Sequence, residues 1–173
     1  MPVKLAIGLG NIGRAYAHTY HNVGFFTVDF IRRATPRNNA AVLQLEKTTG
    51  YMNESGSAVR TLMKRHRVDA REILIIHDDS DLAIGAYKLS FGRGAAGHRG
   101  VLDVIRTLRT KDFWRLRIGI RNEKRGQPQE TTRRMKAEEF VLWRMSAHDE
   151  KLVEAALTNA LPAILSLSTR TST

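Results

Sequence analysis

The feature that most constrains this chain is a run of four large apolar residues, Ile73-Leu74-Ile75-Ile76, that ends abruptly in His77-Asp78-Asp79-Ser80-Asp81. A short run with no polar alternation reads as a fully buried central strand. Other segments supply its neighbours. Val3 to Leu9 reads as a second short buried strand, closed by the glycines of Gly8-Leu-Gly-Asn-Ile-Gly13. Tyr87 to Phe91 alternates like a strand, and Ala41 to Leu45 is a weaker candidate. Trp114 to Ile120 alternates strictly, with Trp114, Leu116, Ile118 and Ile120 on one side and Arg115 and Arg117 on the other, so it reads as a strand with one buried face.

Helical spacing fills the gaps. Apolar residues recur at helical intervals in Val23 to Ala34, and Ser57 to Arg67 is amphipathic with a basic outer face. The glycine-rich stretch Arg93 to Gly100 leads into a helix at about Gly100 to Leu108. Lys136 to Met145 suggests a short helix. Ser146 suits the N-cap of a final helix from Ala147, with Asp149 and Glu150 in its first turn. Thr35 to Asn39 reads as a turn and Asn122 to Arg134 as a mobile polar loop; the tail from 166 to 173 is small and polar and is expected to fray. The expectation is a single α/β domain over residues 1–173, with a mixed, largely parallel central sheet flanked by helices.

Charge speaks to partners rather than fold. The net charge is +11, and between Lys88 and Arg125 eleven Lys or Arg face three acids, Asp103, Asp112 and Glu123. Arg60, Lys64, Arg65, Arg67 and Arg71 form a second group. Clustered cation of this density suits a phosphate backbone. There is no cysteine, which excludes disulfides, thiolate metal sites and a cysteine nucleophile. The N-terminal apolar run is too short and glycine-rich for a signal peptide or membrane span, so a cytoplasmic location without membrane contact is expected.

Gly8, Gly10 and Gly13 match the dinucleotide-binding pattern after a strand. The acid that pattern wants about 20 residues on is missing from a strand end. Its nearest candidate, Asp29, sits in a helical pattern, and His18-Thr-Tyr-His-Asn22 interrupts the stretch where the phosphate-binding helix belongs. The glycines are better read as a tight turn beside a pocket.

Polar groups concentrate in the segments 8–13, 20–25, 51–56, 77–82 and 94–100, each at or beside a strand end or helix start. Ligands gather there in α/β sheets. No Gly-x-Ser-x-Gly elbow is present, and no H-E-x-x-H follows His18 and His21, so neither a serine nucleophile nor a zinc site is supported. What remains is a histidine, His21 or His98, that activates water, with Asp78 or Asp81 bonded to its other ring nitrogen. Asn11 and Asn53 offer amides to hold the water or a carbonyl.

Taken in order, these segments resemble the bacterial peptidyl-tRNA hydrolase family. The matching residues are Gly8-Leu9 with Asn11 and Gly13, then Tyr16, His21-Asn22 with Gly24-Phe25, and Tyr51-Met52-Asn53 with Ser55-Gly56. They continue in His77-Asp78 with Asp81-Leu82 and Gly85, Gly97-His98, and Leu116 to Ile120. The resemblance implies a monomeric enzyme that hydrolyses the ester between a peptide and the terminal ribose of tRNA, without metal or organic cofactor. It implies His21 as the base, Asp78 as its partner, and Asn11 as the group distinguishing peptidyl from free aminoacyl esters. Tyr16 and Tyr51 would line the path of the tRNA 3′ end, Met52 would bind substrate, Asn53 would bind substrate or stabilise charge at the carbonyl, and His98 would sit on a loop closing over it. The basic stretches would meet phosphates without reading sequence.

Three departures stand out. Ile12 replaces the family's usual Pro, the segment between Ile31 and Tyr51 is short, and Arg99 stands where an Asn usually follows the histidine. An amide that binds the 3′ end has become a cation, which either grips a phosphate or points into solvent, and no catalytic role is carried over to Arg99. The rival reading from another class is a non-catalytic RNA-binding protein on the same fold, like the family's splicing-factor relatives.

Overall fold

A computed structural model describes residues 1–35, 43–122 and 136–169. The turn after Thr35 and most of the polar loop after Asn122 lie outside these residues. Five strands form one sheet in the order β2-β1-β3-β5-β4. They are β1 (Leu5–Gly8), β2 (Gln44–Lys47), β3 (Ile73–Ala83), β4 (Tyr87–Phe91) and β5 (Trp114–Arg121). β1, β2, β3 and β5 run parallel, and β4 pairs antiparallel with β5 at the edge. The helices are α1 (Val23–Ala34), α2 (Ser55–His66), α3 (Arg99–Leu108), α4 (Ala137–Phe140) and α5 (Ala147–Thr169).

The β3 run sets this arrangement. Leu74 and Ile76 face a core that includes Val23, Val28, Leu157 and Ile164 of α1 and α5. Ile73 and Ile75 face a second core with Val59 and Leu62 of α2 and Val101 and Val104 of α3. All four are fully buried. Period-2 alternation of side chains sends neighbours to opposite faces, so a strand apolar on both faces needs two helical layers.

Three sequence expectations change. β5 does not have one buried face and one exposed: it lies between β3 and β4, and Arg115 is only 2% exposed. Its Nη2 donates to the Gly94 carbonyl at 2.8 Å, which ties the glycine-rich loop to the sheet. Second, β3 runs on to Ala83, because β5 continues to pair with it through the acidic segment. Third, α5 continues to Thr169, past the point where fraying is expected, because Leu167 and Ser168 are buried and Val3 donates its N–H to the Leu167 carbonyl. The start of α5 matches its sequence signal: the Asp149 N–H donates to Ser146 Oγ, and the Ser146 N–H donates to the Asp149 carboxylate. α5 is also long and apolar enough to cross a membrane, but Val153, Ala156, Leu157, Ala160 and Ile164 bury its apolar side within the domain.

Close approach of backbone positions the segment 20–25. A Cβ on Gly24 would collide with the carbonyls of Leu9 and Ile76, so the start of α1 packs directly on the ends of β1 and β3. Gly→Ala inside a helix normally stabilises by about 0.5–1 kcal/mol. Here the sign is expected to reverse. Gly24→Ala should destabilise by roughly 1–3 kcal/mol, as overpacking does, which chemical denaturation would measure; a stabilised variant would mean that this contact is loose.

Candidate active site

All five polar segments converge beyond the C-terminal end of β1 and past the apolar run of β3. They line a cleft of about 650 Å³ that includes Asn11, Tyr16, His21, Tyr51, Met52, Asn53, His77, Asp78, His98 and Arg99. Segment 136–142 forms further lining, with Lys136, Ala137, Glu138, Val141 and Leu142. Every sequence-selected site residue therefore reaches one cleft, except Asp81. Asp81 is exposed, and its N–H donates to Asp79 Oδ1 at 2.8 Å.

At the centre lies Asp78, 3% exposed, on β3 beyond the apolar run. One of its oxygens, Oδ1, receives two imidazoles: His21 Nδ1 at 2.9 Å and His98 Nε2 at 2.8 Å. Local structure fixes both ring tautomers. His98 is the N-cap of α3, and its Nδ1 accepts the Val101 N–H at 3.2 Å. That nitrogen is an acceptor, so the proton sits on Nε2 and is donated to Asp78. On His21 the carboxylate takes the Nδ1–H. Nε2 then carries the lone pair, with no protein partner among the described residues. His77 is separate: its Nδ1–H donates to the Asp78 carbonyl at 2.6 Å.

The electrostatics follow. Burial disfavours the Asp78 carboxylate, but the two imidazoles outweigh it and hold the group well below the usual carboxylate range. Burial also works against the His21 imidazolium. The Asp78 charge and hydrogen bond overcome it and lift His21 above the ordinary 6.5, while the Arg99 charge pulls the other way. Burial, with His98 nearby, keeps His77 neutral.

His21 sits in a single helical turn, Tyr20–Asn22, pinned from behind. Its N–H donates to the Val141 carbonyl at 2.8 Å, and Tyr20 donates its hydroxyl to buried Asp149 at 2.7 Å. The sequence suggests Asp149 only as a first-turn acid; burial makes it an anchor for this turn.

Asn11 is equally constrained. Asn22 clamps its backbone, accepting the Asn11 N–H at 2.8 Å and donating Nδ2 to the Asn11 carbonyl at 2.9 Å. The Asn11 side-chain oxygen accepts the Met52 N–H at 2.7 Å. That bond settles the amide's orientation and leaves its NH₂ for the cleft. Asn22 carried no role in the sequence reading. Its signal was only adjacency to His21. Tyr16 and Tyr51 meet edge-to-face at 6.4 Å, and exposed Asn53 lines the cleft beside them.

His21, Asp78 and His98 also form the one group among the described residues whose ligand atoms, all within 4.8 Å, could bridge a metal. The two hydrogen bonds to Asp78 Oδ1 account for this convergence without an ion.

The profile of the family described as "Peptidyl-tRNA hydrolase" matches residues 5–172. The chain belongs to the peptidyl-tRNA hydrolase family. The peptidyl-tRNA hydrolase of Dehalococcoides mccartyi strain BAV1 is 34% identical, over 96% of this chain and 94% of that one. That of Idiomarina loihiensis is 36% identical, over 94% and 86%. The crystal structure of peptidyl-tRNA hydrolase from Acinetobacter baumannii superposes with a TM-score of 0.76 at 30% identity, covering 96% of this chain and 89% of that one. These matches agree with the resemblance read from the sequence and do not favour the non-catalytic RNA-binding alternative. The dinucleotide reading of Gly8, Gly10 and Gly13 also falls away. Only a three-residue turn, Arg14–Tyr16, follows the glycines, so no phosphate-binding helix starts there.

Stability linked to the pair has opposite signs at its two members. His21's share is present below pH 6.5 and is lost as pH rises through its raised folded value; that of Asp78 is present above pH 3.8 and is lost as pH falls through its depressed one. Asp78→Asn removes the group that lifts His21 and leaves burial and Arg99, which both lower it. An NMR titration of the His21 ring should move from a midpoint above 6.5 in the wild type to one below it in the variant; an unmoved midpoint would show that Asp78 does not set the His21 charge.

Proposed function

We propose that this chain hydrolyses the ester joining a peptide to the terminal ribose of tRNA, with His21 as general base. Membership of the family supplies the reaction class. The observation that carries the residue assignment is the single Asp78 oxygen that accepts hydrogen bonds from both His21 and His98, which leaves the lone pair on His21 Nε2 without a partner among the described residues.

In this reading His21 Nε2 removes a proton from water as the oxygen attacks the ester carbonyl. Asp78 stabilises the resulting imidazolium, as a buried carboxylate does for a catalytic histidine. Collapse of the tetrahedral intermediate breaks the bond to the ribose oxygen. The imidazolium returns its proton to that oxygen, so the tRNA leaves with a free hydroxyl and the peptide as a carboxylic acid, which loses its proton to solvent. Asn11 and Asn53 offer amide donors to the carbonyl oxygen or the attacking water. Because Asn11 is held at its backbone and side-chain oxygen, its NH₂ is presented in a fixed direction, as discrimination between an N-acylated ester and a free amine requires. Tyr16, Tyr51 and Met52 line the path of the 3′ end. His98 acts here on Asp78 rather than as a loop that closes.

The basic surface fits a tRNA substrate. α2 and α3 both begin at the cleft, and their exposed faces carry Arg60, Lys64, Arg106 and Arg109. We read the protein as a cytoplasmic monomer that works without metal, organic cofactor or membrane.

His21→Ala should lower release of peptide from N-blocked aminoacyl-tRNA by about two to four orders of magnitude, the usual contribution of a general base. Unblocked aminoacyl-tRNA should be a poor substrate for either protein. Turnover by a folded variant at the wild-type rate would remove His21 from the mechanism. The wild-type kcat/KM should rise with pH through a midpoint above 6.5, because the base must be neutral.

A further inference from the structure

Arg99 and Lys136 are the fixed cations among the described residues that line the cleft, and Arg99 is the one beside the His21–Asp78–His98 group. It is the first residue of α3 and follows His98, whose ring bonds Asp78. Its side chain is 77% exposed and lines the cleft. Among the described residues its ion-pair partner is Glu138 of α4, 63% exposed, on the segment that forms further cleft lining. The separation, Nη2 to Oε2, is 3.6 Å, beyond hydrogen-bond length. Exposed pairs of this kind are weak and exchange readily. Arg99 is thus held loosely at the mouth of the cleft, one residue from the histidine that orients Asp78.

A guanidinium only donates hydrogen bonds, so whatever it binds must accept them, and its planar fork matches a phosphate. The peptide of the substrate is esterified through its own carboxyl and offers no carboxylate there. The anion nearest the scissile ester is the phosphate that joins the last two nucleosides, one ribose away. We infer that Arg99 leaves Glu138 to bind this terminal phosphodiester of the tRNA, and so registers the ester against His21. This rests on the hydrolase reading above. α3 presents its N-terminal dipole in the same direction, with no acid in its first turn to oppose an anion. The Arg99 charge also depresses the His21 base in the free protein. A bound phosphate would offset that charge, strengthening the base when substrate arrives.

The test is a double-substitution cycle on N-blocked aminoacyl-tRNA. One substrate carries the native terminal phosphodiester, and the other a single neutral methylphosphonate at that linkage. Wild type should lose roughly ten- to twentyfold in kcat/KM on the neutral linkage, the low end of the range for a charge-assisted contact. Arg99→Gln should show little further loss when the linkage is neutralised, so the two changes are not additive. Arg99→Lys should recover part of the discrimination. Arg99 is exposed, so these variants should fold as the wild type does. If wild type and Arg99→Gln lose the same factor, the inference is overturned while the hydrolase reading stands. If wild type fails to cleave the native substrate, the hydrolase reading itself fails.

Discussion

One buried carboxylate organises this molecule. Asp78 lies buried within β3, just past its apolar run, where an unpaired charge would be costly. Two imidazoles arriving from different directions compensate it, His21 from the turn before α1 and His98 from the N-cap of α3. Breaking a buried pair by removing one partner typically costs about 3–5 kcal/mol, because the remaining charge is stranded. The requirement to keep Asp78 paired therefore ties the two helical layers to one point on the sheet. The same requirement fixes the protons on both rings and leaves one lone pair for chemistry.

Much of the scaffold around that point positions rather than reacts. Asn22 clamps the backbone of Asn11, Asp149 and Val141 hold the turn that carries His21, and Arg115 ties Gly94 of the glycine-rich loop to β5. Each acts on a group that carries or orients a cleft residue. A site built on such supports is held by packing and hydrogen bonds rather than by loop conformation, which general acid–base geometry requires.

The fold was legible where periodicity is local. The α1 stretch and the alternation of β4 and β5 correspond to observed elements at close to the expected bounds, and the Ile73–Ile76 run marks the start of β3. Arg115 was not legible, because alternation alone cannot tell an exposed face from one covered by a glycine-rich loop and α3. The convergence of segments 8–13, 20–25, 51–56, 77–82 and 94–100 was suggested by their polar content at strand ends. Their bonds were not: the resemblance implied Asp78 as the partner of His21, but that one Asp78 oxygen receives both imidazoles is visible only in the structure. The lining from Lys136 to Leu142 carried no chemical signal, since its residues matter by place and not by type. Arg99 was visible as a departure, and its loose pairing with Glu138 could come only from the structure.

The most direct test of the central claim is the placement of the imidazole protons. Nitrogen-15 NMR of the histidine rings, recorded at a pH above the His21 titration, distinguishes the two tautomers. The account requires His21 protonated on Nδ1 with a bare Nε2, and His98 protonated on Nε2, both donating to Asp78. A His21 ring protonated on Nε2 would leave no base facing the cleft and would contradict it.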